Sequence, residues 1–323
     1  MAHHIAAIGY RGEMKIDRRS PLMALWNTGW LLLSLASLFW AGNAVVGRAI
    51  NAEVPPIALA FWRWVLASLL ILPFAWPHLR RDWPLLRKHW LVTSLLALLG
   101  VAAFNALLYT ALHTTTAING VLIQSATPPL ILLFTFLLFR EKAGWLQIAG
   151  LIVALAGVAT IVTSGAPQDI LKLDLVIGDL LIFIAVAGYA LYSALLRVKP
   201  DVHPLSLVAA TFVLGTLMLV PLYAAEHLSG NVIRPTPQTF AAIGFVAVFP
   251  SILAYLFYNR GVEVMGANRA GQFVHLMPAF GAVLSWAFLG EGLALHHAAG
   301  IGLIAAGVWL SSRRPAAGRP ATA

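Results

Sequence analysis

Residues 127–162 run TPPLILLFTFLLFREKAGWLQIAGLIVALAGVATIV, and residues 277–312 run MPAFGAVLSWAFLGEGLALHHAAGIGLIAAGVWLSS. Slid by 150 positions, Pro128 falls on Pro278, Glu141 on Glu291, Gly150 on Gly300 and Gly157 on Gly307. Ala149, Ala156 and Val158 likewise meet Ala299, Ala306 and Val308. Each stretch is a pair of apolar blocks around a short loop with one acidic residue. Self-similarity at a fixed offset marks an internal repeat. Further upstream an offset of 149 sets Trp40 on Tyr189, Arg48 on Arg197 and Pro55 on Pro204, so residues 30–163 recur as 178–313. Composition defines the solvent of this repeat. The chain has 323 residues, 60% apolar and 10% charged, with a mean hydropathy of +0.84. A soluble domain carries about 45–50% apolar and about 25% charged residues. Too few charges remain here to cover a folded surface in water, and a polytopic membrane protein is implied.

A membrane span needs about 20 apolar residues. Blocks of that kind fall at 30–50, 56–76, 90–111, 117–139, 144–163, 178–197, 204–223, 239–259, 267–289 and 295–312. Lipid leaves only helices or closed barrels, and these blocks lack the two-residue alternation of barrel strands. The expected fold is an all-α integral membrane protein of ten transmembrane helices in two five-helix repeats. The first block is too long for a signal peptide and is followed by many like it. Around the repeats lie a polar N-terminal segment (1–29), a linker (164–177) and an Ala/Pro/Gly-rich tail (314–323) expected to be disordered.

With both termini cytoplasmic, 17 of the 21 Lys and Arg residues fall on inner segments. Only Arg48, Lys172 and Arg234 fall outside, and Arg63 lies within a span. A missed span would scramble this split, so the positive-inside rule supports the count and the orientation. It also accounts for the net charge of +9 without a nucleic-acid partner. Five spans per repeat force the two repeats to insert in opposite directions. The loop with Glu141 carries Arg140 and Lys142, whereas the loop with Glu291 carries neither cation, as inversion requires. Inverted repeats are typical of secondary transporters.

These residues carry a resemblance. Phe39-Trp40-Ala41-Gly42-Asn43, then Pro55 and Arg63, and the duplicated run of proline, acidic residue and spaced glycines resemble the EamA type of the drug/metabolite transporter superfamily. The resemblance spans about residues 30–313. It implies an inner-membrane carrier of small metabolites, often working outward. One departure is plain: Phe212 stands where the second repeat would repeat Arg63.

In so apolar a chain the polar residues within spans are the informative ones. Arg63 lies about 12 Å from the outer end of its span, at 1.5 Å per residue from Pro55. No Asp or Glu lies at that depth, so Arg63 either bonds carbonyls and hydroxyls or meets an anionic substrate group. Trp40, Asn43, Tyr189 and Tyr192 lie near the same depth and complete the substrate-binding set. Asn105 and Tyr109 share a helix face, and 150 residues on they become Tyr255 and Asn259, the same pair swapped. They read either as outer and inner gates or as interfacial anchors. Gln272 and His275 lie a turn before Pro278, with Gln124 at the corresponding outer depth in the first repeat, one residue off the strict match. An unperturbed histidine titrates near neutral pH, so His275, the histidine well inside a span, is the residue that would carry proton coupling if the transporter uses it. Pro128, Pro129 and Pro278 remove helix hydrogen bonds at mid-span and predict kinks. The glycines of the last span in each repeat read as packing positions for close helix approach.

The expected function is a secondary transporter of small organic metabolites such as amino acids, an exporter by resemblance, with no cofactor. The alternatives are an intramembrane enzyme and a channel-like or structural subunit. Against an enzyme, the chain lacks HExxH, paired mid-membrane aspartates, a P-loop and any cysteine. Against a channel, no charged ring or filter loop is evident. Its partners are a small-molecule solute and the lipid bilayer.

Overall fold

The computed structural model describes residues 25–50, 53–111, 114–115, 117–166, 176–289 and 294–313. The N-terminal segment, most of the linker, the C-terminal tail and Glu291 therefore lie outside the described residues. What is described is helical, without strands. Among the described residues ten helical spans follow one another: α1 Gly29–Ile50, α2 Pro56–Lys88, α3 Trp90–Ala111, α4 in two pieces (Ala117–Gln124 and Thr127–Phe139), α5 Trp145–Val162, α6 Ile177–Val198, α7 Pro204–Leu228, α8 Pro237–Met265, α9 in three pieces (Ala267–Gln272, Phe273–His275 and Leu276–Leu289) and α10 Leu295–Ser312. Eight are single helices long and apolar enough to cross a membrane; α4 and α9 are the broken ones. Much of the outer surface is apolar, with Leu69, Phe74, Leu137, Ile152, Leu217 and Phe240 exposed, as a lipid-facing surface should be.

The packing follows the repeat. α1 packs on α8 and α9, just as α6 packs on α3 and α4. α5 lies on α10, and α2 on α7, each helix against its own counterpart. The α5–α10 crossing fixes the direction. A Cβ added at Gly150 would lie 2.4 Å from the Gly307 carbonyl oxygen, and one at Gly157 would lie 2.7 Å from that of Gly300. The start of α5 thus meets the end of α10, and the two run antiparallel, backbone on backbone. Counterparts that pack antiparallel belong to inverted repeats.

The α2–α7 pair is clasped reciprocally. Near the end of α7, Glu226 accepts hydrogen bonds from the first-turn amides of α2, Ile57 at 3.0 Å and Ala58 at 2.6 Å. Near the end of α2, Asp82 accepts from the His203 amide at 2.9 Å, just before α7 begins. Each carboxylate satisfies donors that a helix start leaves without an intrahelical partner.

Several boundaries differ from the hydropathy blocks. α2 runs to Lys88 rather than stopping near 76, despite Pro73, Pro77 and Pro84 within it. Hydropathy reports where lipid ends, but a helix ends where its partner and caps end, and α7 supports α2 up to Asp82. α7 and α8 are extended for the same reason. The mid-span prolines do not kink continuous helices. α4 breaks at Ser125 and Ala126, between Ala117–Gln124 and Thr127–Phe139, so Pro128 and Pro129 fall in a first turn where a missing N–H costs nothing. α9 runs Ala267–Gln272, then a 3-10 turn at Phe273–His275, then Leu276–Leu289 with Pro278 in its first turn. Two features had no counterpart in the sequence reading: π-helical turns at Leu98–Ala103 in α3 and Val248–Leu253 in α8, 150 residues apart.

Candidate functional site

Each π turn presents a carbonyl to the same cluster of buried side chains. A π turn leaves carbonyls without their usual helical partners, and such turns concentrate at functional sites. Here the second repeat serves the first and the first serves the second. The Tyr255 hydroxyl in α8 donates to the Gly100 carbonyl in α3. The Pro250 carbonyl in α8 accepts from Trp40 Nε1 of α1 at 3.1 Å and from Arg63 Nη2 of α2 at 3.1 Å.

Arg63 is the hub, 2% exposed. Its Nε donates to Ser251 Oγ at 2.6 Å. Nη1 faces Asn105 Oδ1 and the Tyr109 hydroxyl, both at 3.1 Å, and Asn43 Oδ1 at 3.3 Å. The guanidinium carbon lies 4.7 Å from the centre of the Trp64 ring. The five side-chain and carbonyl partners are neutral, so the cation is well bonded yet not neutralised. Asn105 and Tyr109, read from sequence as a separate gate or as anchors, stand with Asn43 around this arginine.

Across from it lies an aromatic wall. Trp40 and Tyr189, counterparts in the two repeats, meet edge to face with centroids 5.7 Å apart. Tyr189 continues to Tyr192 at 5.3 Å and Tyr258 at 5.7 Å, and Tyr192 to Tyr255 at 6.1 Å. The Tyr192 hydroxyl donates to Asn259 Oδ1 at 2.7 Å. That bond mirrors the one in which Asn43 Nδ2 donates to the Tyr109 hydroxyl at 3.3 Å, with the residue types exchanged. Phe212, the counterpart of Arg63, packs on Trp64 at 4.6 Å and Tyr255 at 5.5 Å.

The remaining sequence-predicted residues stay apart from this cluster. Gln124 Nε2 donates to the Gly120 carbonyl of its own helix at 3.1 Å. Gln272 and His275 are fully buried at the break in α9, and neither side chain has a hydrogen-bond partner. The Tyr189 hydroxyl is also buried without one. Ser251, Trp64 and Tyr258 belong to the site but escaped the sequence reading. A Pro-Ser pair inside an apolar block was the one signal pointing to the π turn. Among the described residues no cluster of three or more His, Asp or Glu could hold a metal.

A family model described as the EamA-like transporter family matches residues 27–163 and again 176–313. The chain belongs to the EamA-like transporter family. The duplicated match falls on the two repeats. Uncharacterized transporter YyaM of Bacillus subtilis strain 168 is 30% identical over 289 residues, covering 88% of this chain and 93% of the relative. An uncharacterized transporter of Archaeoglobus fulgidus is 30% identical over 291 residues, covering 88% and 97%. A crystal structure of another protein superposes with a TM-score of 0.72 at 18% identity, covering 87% of this chain and 95% of that one, and shares the fold. This EamA-family chain is a multi-pass membrane transporter rather than an enzyme.

Proposed function

We propose that this transporter exports a small organic solute with an anionic group and an apolar body, such as an amino acid, across the cell (inner) membrane. One observation carries the reading. Arg63 is buried at mid-span, held from both repeats, and none of its partners is a carboxylate. A cation at a helix centre costs about 2.5–3.5 kcal/mol on insertion scales. A visiting carboxylate would offset that cost, with Trp40, Tyr189, Tyr192 and Tyr255 against its apolar part and Asn43 beside it. Because Arg63 bonds α8 of the other repeat, a solute that takes over its donors would loosen one repeat from the other. That is the differential contact alternating access needs. Cytoplasmic termini are supported by the 17-to-3 distribution of Lys and Arg. Proton coupling, if used, falls to His275, whose ring nitrogens have no protein partner.

The test is counterflow of labelled amino acids in proteoliposomes, with the Arg63→Gln and Arg63→Lys proteins normalised for folded protein. Flux should be lost in the first and partly retained in the second, because an ammonium cannot hold a carboxylate with two parallel bonds. Wild-type flux in folded Arg63→Gln would remove Arg63 from recognition. For topology, a cysteine at Ser164 should react with an impermeant reagent on intact cells; labelling only after lysis would reverse the orientation.

A further inference from the structure

Helix packing divides the core into two groups, α1 with α8 and α9, and α6 with α3 and α4. Two seams related by the repeat run between the groups: α6 against α8 toward the inner ends, and α1 against α3 toward the outer ends. Along the inner seam three contacts follow one another. The Tyr192 hydroxyl donates to Asn259, the Ser193 and Tyr258 hydroxyls lie 2.8 Å apart, and Lys199 Nζ lies 2.8 Å from Glu263 Oε1. Asn259 and Glu263 are four residues apart, so they share the face of α8 that α6 covers. Arg260 braces Glu263 at 2.9 Å and donates to Asn27 Oδ1, just before α1, at 2.6 Å. The Lys199 and Glu263 side chains are only 16% and 28% exposed, and the carboxylate is shared by two cations, so the pair is worth more than an isolated one in open water. At the same end a buried bond joins the groups again, with Thr135 Oγ1 of α4 donating to Asn268 Oδ1 of α9 at 2.5 Å. Beside the ion pair, the space lined by Lys199, Leu207, Leu256, Asn259 and Glu263 is about 10 Å³, room for no more than one water. The inner end is shut.

The outer seam has little of this. Where Ser193 and Tyr258 stand, the first repeat has Ala44 and Leu108; where Lys199 and Asn268 stand, it has Ile50 and Ile118. An isoleucine can form neither the ion pair nor the amide bond. Of the inner contacts, the Tyr192–Asn259 bond alone keeps a polar counterpart, Asn43 with Tyr109, and both of those also bond Arg63. The outer seam is thus held through the group that an anionic solute would engage, and the inner seam is not. Two identical repeats would make the inward-open and outward-open forms equal in energy, because each is the other seen from the opposite side. Side chains that differ between the seams set the balance. We propose that the Lys199–Glu263 pair, backed by Thr135–Asn268, is an inner latch that biases the carrier toward opening outward. Such a bias presupposes the orientation and alternating access proposed above, but no particular solute.

The chain has no cysteine, so spin labels can be placed in pairs at exposed positions. Leu91 with Val264 spans the inner ends of α3 and α8, and Thr110 with Gln238 spans their outer ends. Double electron–electron resonance on the full-length protein in lipid nanodiscs, without solute, would read both distances. Wild type should show mainly the short inner distance. Lys199→Met should raise the ratio of inner-open to inner-closed molecules about fivefold, the upper end for a partly exposed ion pair, with the outer distance shortening in step. Lys199→Arg should keep the wild-type distributions. Thr135→Val should shift both distances in the same direction as Lys199→Met; Lys199 sits at the rim, so its variants decide the matter if the buried one fails to fold. Distributions unchanged in folded Lys199→Met would overturn the latch. A failure of the amino-acid reading leaves these distances as they are, whereas labelling at Ser164 only after lysis would overturn the outward direction of the bias.

Discussion

The two halves of the central site share one plan and opposite chemistry. In the first repeat, Asn43, Arg63, Asn105 and Tyr109 form a polar hub around a cation. At the corresponding places in the second stand Tyr192, Phe212, Tyr255 and Asn259, and the centre is a stack of rings. The backbone frame is symmetric, π turn for π turn. The side chains are not. Symmetric folding needs matching helices and close crossings, whereas the proposed recognition of one anionic solute needs one charged group and one apolar wall. A second arginine would repel the first across the same small space, so one copy of the repeat keeps the charge and the other supplies the wall.

The most severe way to break this division is to make the halves alike. Phe212→Arg would bury a second cation, in a pocket of rings with no acceptor in place. Folded yield should collapse, since an uncompensated buried charge costs about 3–5 kcal/mol; fluorescence-detected size exclusion would report it. A monodisperse peak at wild-type yield would mean that the aromatic half tolerates charge.

Arg63→Gln removes the difference from the other side. Because Arg63 ties α2 to α8 as well as facing the site, the melting temperature should fall along with flux. Ser251→Ala separates the two roles. It removes one bond to the cation, about 1.5–3 kcal/mol, while leaving the charge for a solute, so stability should drop more than the apparent KM changes.

The mirrored Asn–Tyr bonds give a finer comparison. Tyr192→Phe loses one neutral hydrogen bond, about 1 kcal/mol. Tyr109→Phe should cost more, because its hydroxyl serves both Asn43 and Arg63. Equal losses in thermal denaturation would show that the charge adds nothing to the first half.

The smallest effect concerns the clasps at the ends of α2 and α7. Glu226 works alone, but Asp82 sits beside His203, whose ring stacks on His78 with centroids 3.7 Å apart. Burial and the neighbouring His78 hold the His203 pKa below its ordinary 6.5, against the opposing pull of Asp82. Folding therefore favours the neutral ring. Its contribution to stability is full above pH 6.5 and is lost as pH falls through the lower folded value. The neutral Nδ1 also accepts from the Leu205 amide at 3.3 Å, a cap that protonation at that nitrogen would remove. Melting temperature should decline from pH 7.5 to 5.5, and His203→Asn, which keeps a capping acceptor, should flatten that decline. An unchanged slope would exclude His203 as its source.

Spans, repeat and inversion were legible because lipid imposes hydropathy and an odd span count imposes direction. The glycine spacing in 150–157 and 300–307 already marked positions for close helix approach, though not that α5 and α10 meet each other there. Arg63 stood out as a lone mid-span cation, and its register placed Asn43 and Tyr189 at similar depth. Its anchors did not show. Ser251 and the Pro250 carbonyl lie almost 190 residues away in sequence, and their availability depends on a π turn that no hydropathy window detects. The length of α2 was hidden as well, since its last three turns are held by Asp82 and α7 rather than by lipid. Asn105 and Tyr109 were visible as a pair but not as neighbours of Arg63, because helix-face spacing says nothing about which helix the face meets.

The α5–α10 crossing has a mechanical consequence. The contact of Gly150 with Gly307 becomes the contact of Gly300 with Gly157 when the repeats exchange roles, so the crossing lies on the axis that relates them. Points on an axle do not travel. In the proposed alternating access, a swivel about this line would leave the glycine seam intact while the contacts on either side of it traded lengths. The glycines bring the two backbones together, with Ala154, Ile161, Ile304 and Ser311 packed beside them, so the seam is held tight on its line.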